Sequence, residues 1–337
     1  MAIPTQISTY VENYFIPKFV DVVTTFDPLF ERLWKAKKTQ TGGTGVDQPL
    51  HYGQSGNVGT YKAHGTYRRE VTDTRTYASF SWKHYYANVL VSRVQGLMAK
   101  GKSANITTLI KDQIEDGELA LKDRLHYDIV GNGAAYAWPN RDSELLEPIE
   151  GLKKILTVDN TYGGIDASSD LLVNGIYLWN PQEINGNDTT YANLYTKGQN
   201  GYLPQLLQKM FTKLTNGSDR PTLVIMPEVI FNGLWQCSYD KAEASKFRET
   251  TIGSLGFQAL EFERVPCIMN KNMTLGEFYV INESYLHLWA LAGAALNWTG
   301  FDRTDGDDDM GQILLSMAMT CSNRRRQGRV YGLPTSY

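Results

Sequence analysis

From Ser103 to Asn132 the chain carries one uninterrupted helical pattern, and no other feature limits so strongly what it can fold into. Ile106, Ile110, Ile114, Leu121, Leu125 and Ile129 follow the 3.6-residue period, Leu109 widens the stripe, and the opposite face is charged. Ser103 or Asn105 can accept the first free backbone N–H groups, and Gly131-Asn132-Gly133 supplies the left-handed residue that ends such a helix. A helix over Asn105 to Val130 spans roughly 39 Å at 1.5 Å per residue, far beyond the usual three turns. A rod of this length is expected to brace a broad surface. Gly117 inside it costs about 1 kcal/mol relative to Ala, which predicts a close backbone approach or a bend.

The rest of the chain is long enough to bury a substantial core, and its 337 residues allow two or three domains. Hydrophobic residues make up 42% and charged residues 20%, and no apolar run approaches the 18 residues of a membrane span, so a soluble protein without membrane contact is expected. Met1 to Ser8 lacks a basic region followed by an apolar core, so no signal peptide is read. Cys237, Cys267 and Cys321 are widely spaced and are read as reduced, buried thiols. A net charge of −3 gives no general attraction to nucleic acid, so any such contact must be local. The 20 Tyr and 7 Trp fit either a large core or extensive protein–protein contact.

Along the chain, Pro17 and Pro28 break an apolar-rich stretch, Tyr10 to Trp34, into an extended lead and short helical pieces. Residues 41–65 have the glycine-rich composition of loops and turns. The pattern then becomes period two. Ala78, Phe80, Trp82, His84 and Tyr86 alternate with Ser79, Ser81, Lys83 and Tyr85, predicting a strand with one aromatic face, extended by Val89 to Val91. Residues 46–92 thus read as a two-stranded excursion. After the long helix come a short helix at Gly151 to Leu156, a turn at Asn160 to Gly164 and a strand around Tyr177 to Trp179. A helix at Leu203 to Leu214, a strand at Thr222 to Met226, and a helix from Pro227 to about Cys237 follow. Further strands are expected at Ala259 to Met269 and Phe278 to Leu288, and Gly311 to Val330 is a β-prone run interrupted by three arginines. Helices and strands mix without a repeated unit, which is the α+β class.

Gly96-Leu97-Met98-Ala99-Lys100-Gly101-Lys102-Ser103 fits the phosphate-loop pattern, and a nucleotide hydrolase is therefore the reading from a different class. Leu97 and Met98 are bulky for a loop that wraps phosphate with backbone N–H groups, and Asn88, Ser92 and Arg93 make the preceding strand too polar for a central parallel strand. Asp305, Asp307, Asp308 and Asp309 lack the alternate ligands and closing Glu of a calcium loop and read as a solvated turn. The five histidines show no metal-ligand spacing, and no nucleophile turn is present, so no enzyme activity, metal or cofactor is expected. Arg324, Arg325 and Arg326, with Arg329, are candidates to face nucleic acid or carboxylates of a neighbouring subunit.

In order and spacing these elements resemble the major capsid protein of tailed bacteriophages. The resemblance rests on the arm, the Gly-rich hairpin, the long helix ending in Gly, and Gly151-Leu152-Lys153-Lys154-Ile155-Leu156. It rests also on Thr161-Tyr162-Gly163-Gly164-Ile165, on Trp179-Asn180, and on Phe262 to Met269 followed by Glu277 to Asn282. Thr320 to Gly328 closes the series. It implies an N-terminal arm over 1–40, an extended β-hairpin loop over 41–95, and a peripheral domain over 96–218 with its spine helix at 103–131. An axial domain over 219–298 and a C-terminal return over 299–337 complete that layout. The implied function is a virion shell of hexamers and pentamers, icosahedral or prolate, enclosing double-stranded DNA held by non-specific contact and assembled in the bacterial cytoplasm. Scaffolding, portal and decoration proteins are the implied partners. Because the chain as written begins at Met1, a separate scaffold is expected rather than a removed leader. An encapsulin-like compartment is the rival within the fold. Candidate intersubunit contacts are Phe80, Trp82, Tyr86 and Lys62, the last as a possible cross-linking lysine, together with Arg324 to Arg326. A two-stranded hairpin has no second layer of its own, so its aromatic face is expected to be covered by a neighbour.

If the phosphate-loop match is a connector into the long helix, MgATP will produce no thermal shift and Lys102→Ala will assemble normally. A shift that disappears in the variant would restore the nucleotide reading.

Overall fold

The computed structural model describes residues 28–53, 55–67, 69, 73–92, 103–133, 147–173, 175–186, 203–238, 247–252, 257–303 and 308–335. The arm before Pro28, the segment Gly96 to Lys102, and Asp305 and Asp307 lie outside these. The α-helices are α1 (Pro28–Lys35), α2 (Ser103–Val130), α3 (Leu152–Leu156), α4 (Leu203–Leu214) and α5 (Glu228–Ser238). The strands begin with β1 (Lys38–Gln40), β2 (Gly45–His51), β3 (Arg75–Ser81) and β4 (Lys83–Ser92). Short pairs follow: β5 (Thr161–Tyr162) with β6 (Ile165–Asp166), and β7 (Leu172–Val173) with β8 (Ile176–Tyr177). Then come β9 (Gln182–Asn185), β10 (Leu223–Met226), β11 (Phe247–Ile252), β12 (Phe257–Phe262), β13 (Val265–Met269) and β14 (Phe278–Ile281). The last are β15 (Leu286–Arg303), β16 (Asp308–Cys321) and β17 (Gly328–Tyr331). Helices and strands intermingle as the α+β reading requires.

A four-stranded sheet, ordered β1-β15-β16-β4, carries the long helix α2. Ile114, Leu121, Leu125 and Ile129 are buried, matching the periodic stripe. Between Ile114 and Leu121 the contact position falls at Gly117, where an added Cβ would sit 3.7 Å from the Ala87 Cβ on β4. That is ordinary van der Waals contact, so the glycine marks a close approach that alanine would also fit. The C-terminal half of α2 is locked by a polar knot. Tyr85 Oη donates to Asp128 Oδ2 at 2.9 Å, Arg124 Nε donates to the same oxygen at 2.7 Å, and the Ile149 N–H donates to Tyr85 Oη at 2.9 Å. Burial raises the Asp128 carboxyl above its ordinary range against the pull of Arg124.

A seven-stranded sheet, β11-β12-β13-β10-β14-β17-β9, forms the second layer of regular structure. Its central strands β10 and β14 are buried on both faces, and α4 covers one side with Leu206, Leu207, Met210 and Phe211. Besides the long passage from β4 through α2 to β9, the chain crosses directly between the sheets from β14 to β15 and from β16 to β17, and one buried pair ties these two direct crossings. The Asn282 N–H donates to Gln327 Oε1 and Gln327 Nε2 donates to the Asn282 carbonyl, each at 2.9 Å.

Three strand expectations change in the structure. Ala259 to Met269 is a hairpin rather than one strand, because Glu263 and Arg264 adopt φ +50 and +69, the geometry of a tight two-residue turn. Phe278 to Leu288 breaks at a 3-10 turn over Glu283–Tyr285, where the chain changes sheets. Gly45 to His51, loop-like in composition yet inside the two-stranded excursion expected over 46–92, is β2, because it pairs residue for residue with β3 from Gly45↔Ser81 to His51↔Arg75.

Gly151 enters α3 against the end of α2, and a Cβ there would collide with the carbonyl oxygens of Asp128, Ile129 and Gly131. Gly151→Ala should therefore destabilise the subunit by more than about 2 kcal/mol, since backbone atoms cannot swing away. Gly56→Ala, which meets nothing within 4 Å, should change stability by less than about 0.5 kcal/mol in the same denaturant titration.

Candidate assembly surface

The hairpin β2–β3 and its tip divide into a covered base and a bare end. At the base, Val46, Leu50, Ala78, Phe80 and Trp82 are buried. Their cover comes from the same chain. The Phe80 ring packs on Tyr162 with centroids 4.8 Å apart, the Ser79 N–H donates to the Gly163 carbonyl at 2.9 Å, and Trp82 Nε1 donates to the Gly43 carbonyl at 3.0 Å. Gly163, at φ +61, lets the turn approach so closely that a Cβ would strike Phe80 and Ala78. The expectation that a neighbour must bury Phe80 and Trp82 is thus corrected: both are buried within the subunit, Phe80 beneath the Thr161–Ile165 turn and Trp82 with its indole N–H on the Gly43 carbonyl.

Tyr86 does not share their face. Alternation runs through Ala78, Phe80 and Trp82, then shifts so that Tyr85, Ala87 and Val89 are buried while Tyr86 is 48% exposed. The cause is a change of partner. β3 pairs with β2, β4 pairs with β16, and Trp82 lies between the two strands. The tip, by contrast, is exposed through 57–67, with Val58 at 86% and Tyr61 and Tyr67 each at 65%. Tyr61 and Tyr67 form an edge-to-face pair 5.1 Å apart, and Lys62 stands between them in sequence.

The three adjacent arginines separate into three environments. Arg324 is fully buried, and its hydrogen bonds go to carbonyl and amide oxygens. Its Nε donates to the Ile155 carbonyl at 2.8 Å, and Nη2 donates to the Thr157 carbonyl at 2.8 Å, to Asn160 Oδ1 at 2.7 Å and to the Lys154 carbonyl at 3.4 Å. It caps the open carbonyl end of α3, where a cation meets the negative end of the helix dipole. The guanidinium also lies over the rings of Tyr162 and Trp179, 5.2 and 5.7 Å from their centroids. Burial lowers its pKa to about 10. Arg326 pairs with Asp219 at 3.3 Å and donates to the Leu214 carbonyl at the end of α4. Arg325 alone of the three has no side-chain partner among the described residues. The expectation that all three face DNA or a neighbour is corrected for Arg324 and Arg326, whose carbonyl and carboxylate partners lie within the subunit. Arg329 likewise pairs with Glu277 at 2.7 Å and Glu183 at 3.4 Å.

Tyr162, which sequence reading noticed only as part of a turn, is the hub that joins these elements. It is fully buried, its Oη donates to the Met319 carbonyl at 3.0 Å, and its carbonyl accepts from Trp179 Nε1 at 3.0 Å. An aromatic followed by two glycines was the available signal. The three cysteines are buried and free, and burial pushes the Cys267 and Cys321 thiols up to about 12.

Arg324→Gln should cost about 2 to 4 kcal/mol of subunit stability, because it strands the α3 carbonyls and removes a buried charge-assisted network. Arg325→Gln should shift the same melting curve by less than about 0.5 kcal/mol.

No protein-family model matches the chain, and no curated protein sequence matches it. Solved structures do. The capsid protein of cyanophage A-1(L) superposes with a TM-score of 0.63 at 13% identity, covering 91% of this chain and 92% of that one. The capsid protein of the myovirus XM1 gives 0.53 at 11% identity over 89% and 91%. The SrpI encapsulin of Synechococcus elongatus PCC 7942 gives 0.51 at 10% identity over 93% and 90%. The spine helix, the hairpin and the two sheets are therefore those of the fold shared by tailed-phage major capsid proteins and encapsulins, and this chain has that fold.

Proposed function

We propose that this chain is the shell-forming major capsid subunit of a tailed phage, assembling with itself into hexamers and pentamers around double-stranded DNA. The observation that supports it best is the coincidence of fold over nine-tenths of both chains with the cyanophage capsid protein. The hairpin adds a second support. Its base is packed by its own subunit while its tip holds Val58, Tyr61 and Tyr67 in solvent, an arrangement costly for an isolated monomer and useful where every copy meets the same neighbour. The four-stranded sheet with α2 is the peripheral unit in this reading, and the seven-stranded sheet is the axial one. The axial sheet draws β9 and β17 from outside 219–298, which ties it to the rest of the chain on both sides. Scaffolding, portal and decoration proteins and a host-cytoplasmic assembly site belong to the same proposal. Covalent cross-linking through Lys62 has no partner residue to support it.

The encapsulin similarity keeps one alternative in view, a shell that encloses protein. Electron microscopy of the expressed chain, alone and with a candidate scaffold, should show closed shells, and nuclease-protected DNA in particles from infected cells favours the phage head over a cargo compartment. Replacing residues 55–67 with a short Gly-Ser turn should leave circular dichroism and melting close to wild type and abolish closed shells. Trp82→Ser should instead lower subunit stability by about 3 kcal/mol, since its ring is buried at home. Normal shells from the tip replacement would remove the hairpin from the assembly mechanism.

A further inference from the structure

Beside the hairpin base lies a cavity of about 150 Å³, bounded by the end of β2, by Leu171, Leu178 and Trp179, and by Ser322, Asn323 and Arg325. Leu50 and Trp179 are buried there, and Leu171 and Leu178 extend the apolar wall. The lining is apolar on one side and polar on the other, and a volume of this order has room for a single aliphatic side chain. Leu171 holds φ +53, a left-handed backbone that a leucine keeps only where its surroundings impose it. The charge of the lining is one-sided. Arg325, His51 and Tyr52 contribute donors, and none of the residues lining the cavity is acidic. No side-chain hydrogen bond or ion pair of these three occurs among the described residues.

The counterpart of such a groove is an aliphatic side chain flanked by carboxylates, and the exposed face of α2 presents one. Asp112, Asp116, Leu119 and Asp123 stand at positions i, i+4, i+7 and i+11, all exposed, with Leu119 at 55%. The three aspartates have no partner among the described residues. Like charges one turn apart oppose each other on a helix, so a cation from outside would relieve this stripe. The hairpin tip is also basic, with Lys62 and Arg69 and no acidic residue from Tyr52 to Arg69. Its Val58, Tyr61 and Tyr67 protrude, however, and Leu119 requires a recess.

We propose that the groove receives Leu119 of a second copy of this chain, with that copy's Asp116 and Asp123 against Arg325, His51 and Tyr52. Groove and stripe are different surfaces, so the contact is head-to-tail, and repetition of a head-to-tail contact closes a ring when the rotation permits. The proposal rests on the shell reading above and names one of its contacts.

The test uses the full-length chain. Arg325→Glu alone, or Asp116→Lys with Asp123→Lys, should weaken ring and shell formation by about tenfold in light scattering, with circular dichroism and melting unchanged, and combining them should restore assembly. Asn323→Cys with Asp116→Cys should give an intermolecular disulfide under mild oxidation that neither single variant gives. Normal assembly of Arg325→Glu, no rescue in the combined variant, or no disulfide would each overturn the groove contact. So would rescue of the lysine variants by Lys62→Glu with Arg69→Glu, which would assign the stripe to the hairpin tip. A wild-type chain that forms no shells counts against the shell reading alone, because the disulfide reports the contact in any oligomer.

Discussion

One tyrosine ring holds the parts of this subunit in register. Tyr162 touches Phe80 of the hairpin on one side, lies under the Arg324 guanidinium on another, and hydrogen-bonds the Met319 carbonyl of β16. Hairpin, C-terminal turn and main sheet therefore share a single buried contact, although they come from residues far apart in sequence. A ring in that position contributes area and direction together, since its hydroxyl has one acceptor and its faces have fixed partners. Loss of any one partner loosens the others, because a close-packed interior transmits displacement instead of absorbing it.

Arg324 shows how a cation can be buried without a direct salt bridge. Desolvating a guanidinium is costly, and Glu150 and Glu183 favour its charge only from beyond salt-bridge distance. The offset comes from backbone carbonyls at the end of α3, an asparagine amide oxygen and two aromatic faces. Arginine suits this role because its planar fork reaches several acceptors at once, which a lysine ammonium cannot do from the same position. The nearby Arg326 joins the end of α4 to Asp219, so two arginines two residues apart each close a different helix. Arg325, between them, is left to the groove.

The passage between the two sheets is the other constraint. The two direct crossings, β14 to β15 and β16 to β17, run through Asn282 and Gln327, which exchange backbone and amide hydrogen bonds in the interior. Such a reciprocal pair fixes the spacing of the crossings more strictly than apolar packing would, because each amide loses a buried hydrogen bond if it slides. The hairpin tip carries the opposite design, with aromatic side chains left in solvent.

The sequence by itself determined the local elements. The stripe of α2 over Ser103–Val130 and the helix Leu203–Leu214 were legible because one buried face imposes a period that no tertiary partner needs to specify. Buried cysteines, the α+β class and the order of elements followed from the same patterns. Tertiary structure decided everything that depends on which surface meets which. Phe80, Trp82 and Tyr86 share a period-two pattern, yet a change of strand partner at Trp82 turns Tyr86 outward. Three arginines in a row look identical as charges, and only the carbonyls of α3, Asp219 and the groove make them different. Periodicity reports that a residue has a face to bury; what lies opposite that face is a property of contacts between distant segments, and the chain's linear pattern carries no record of them.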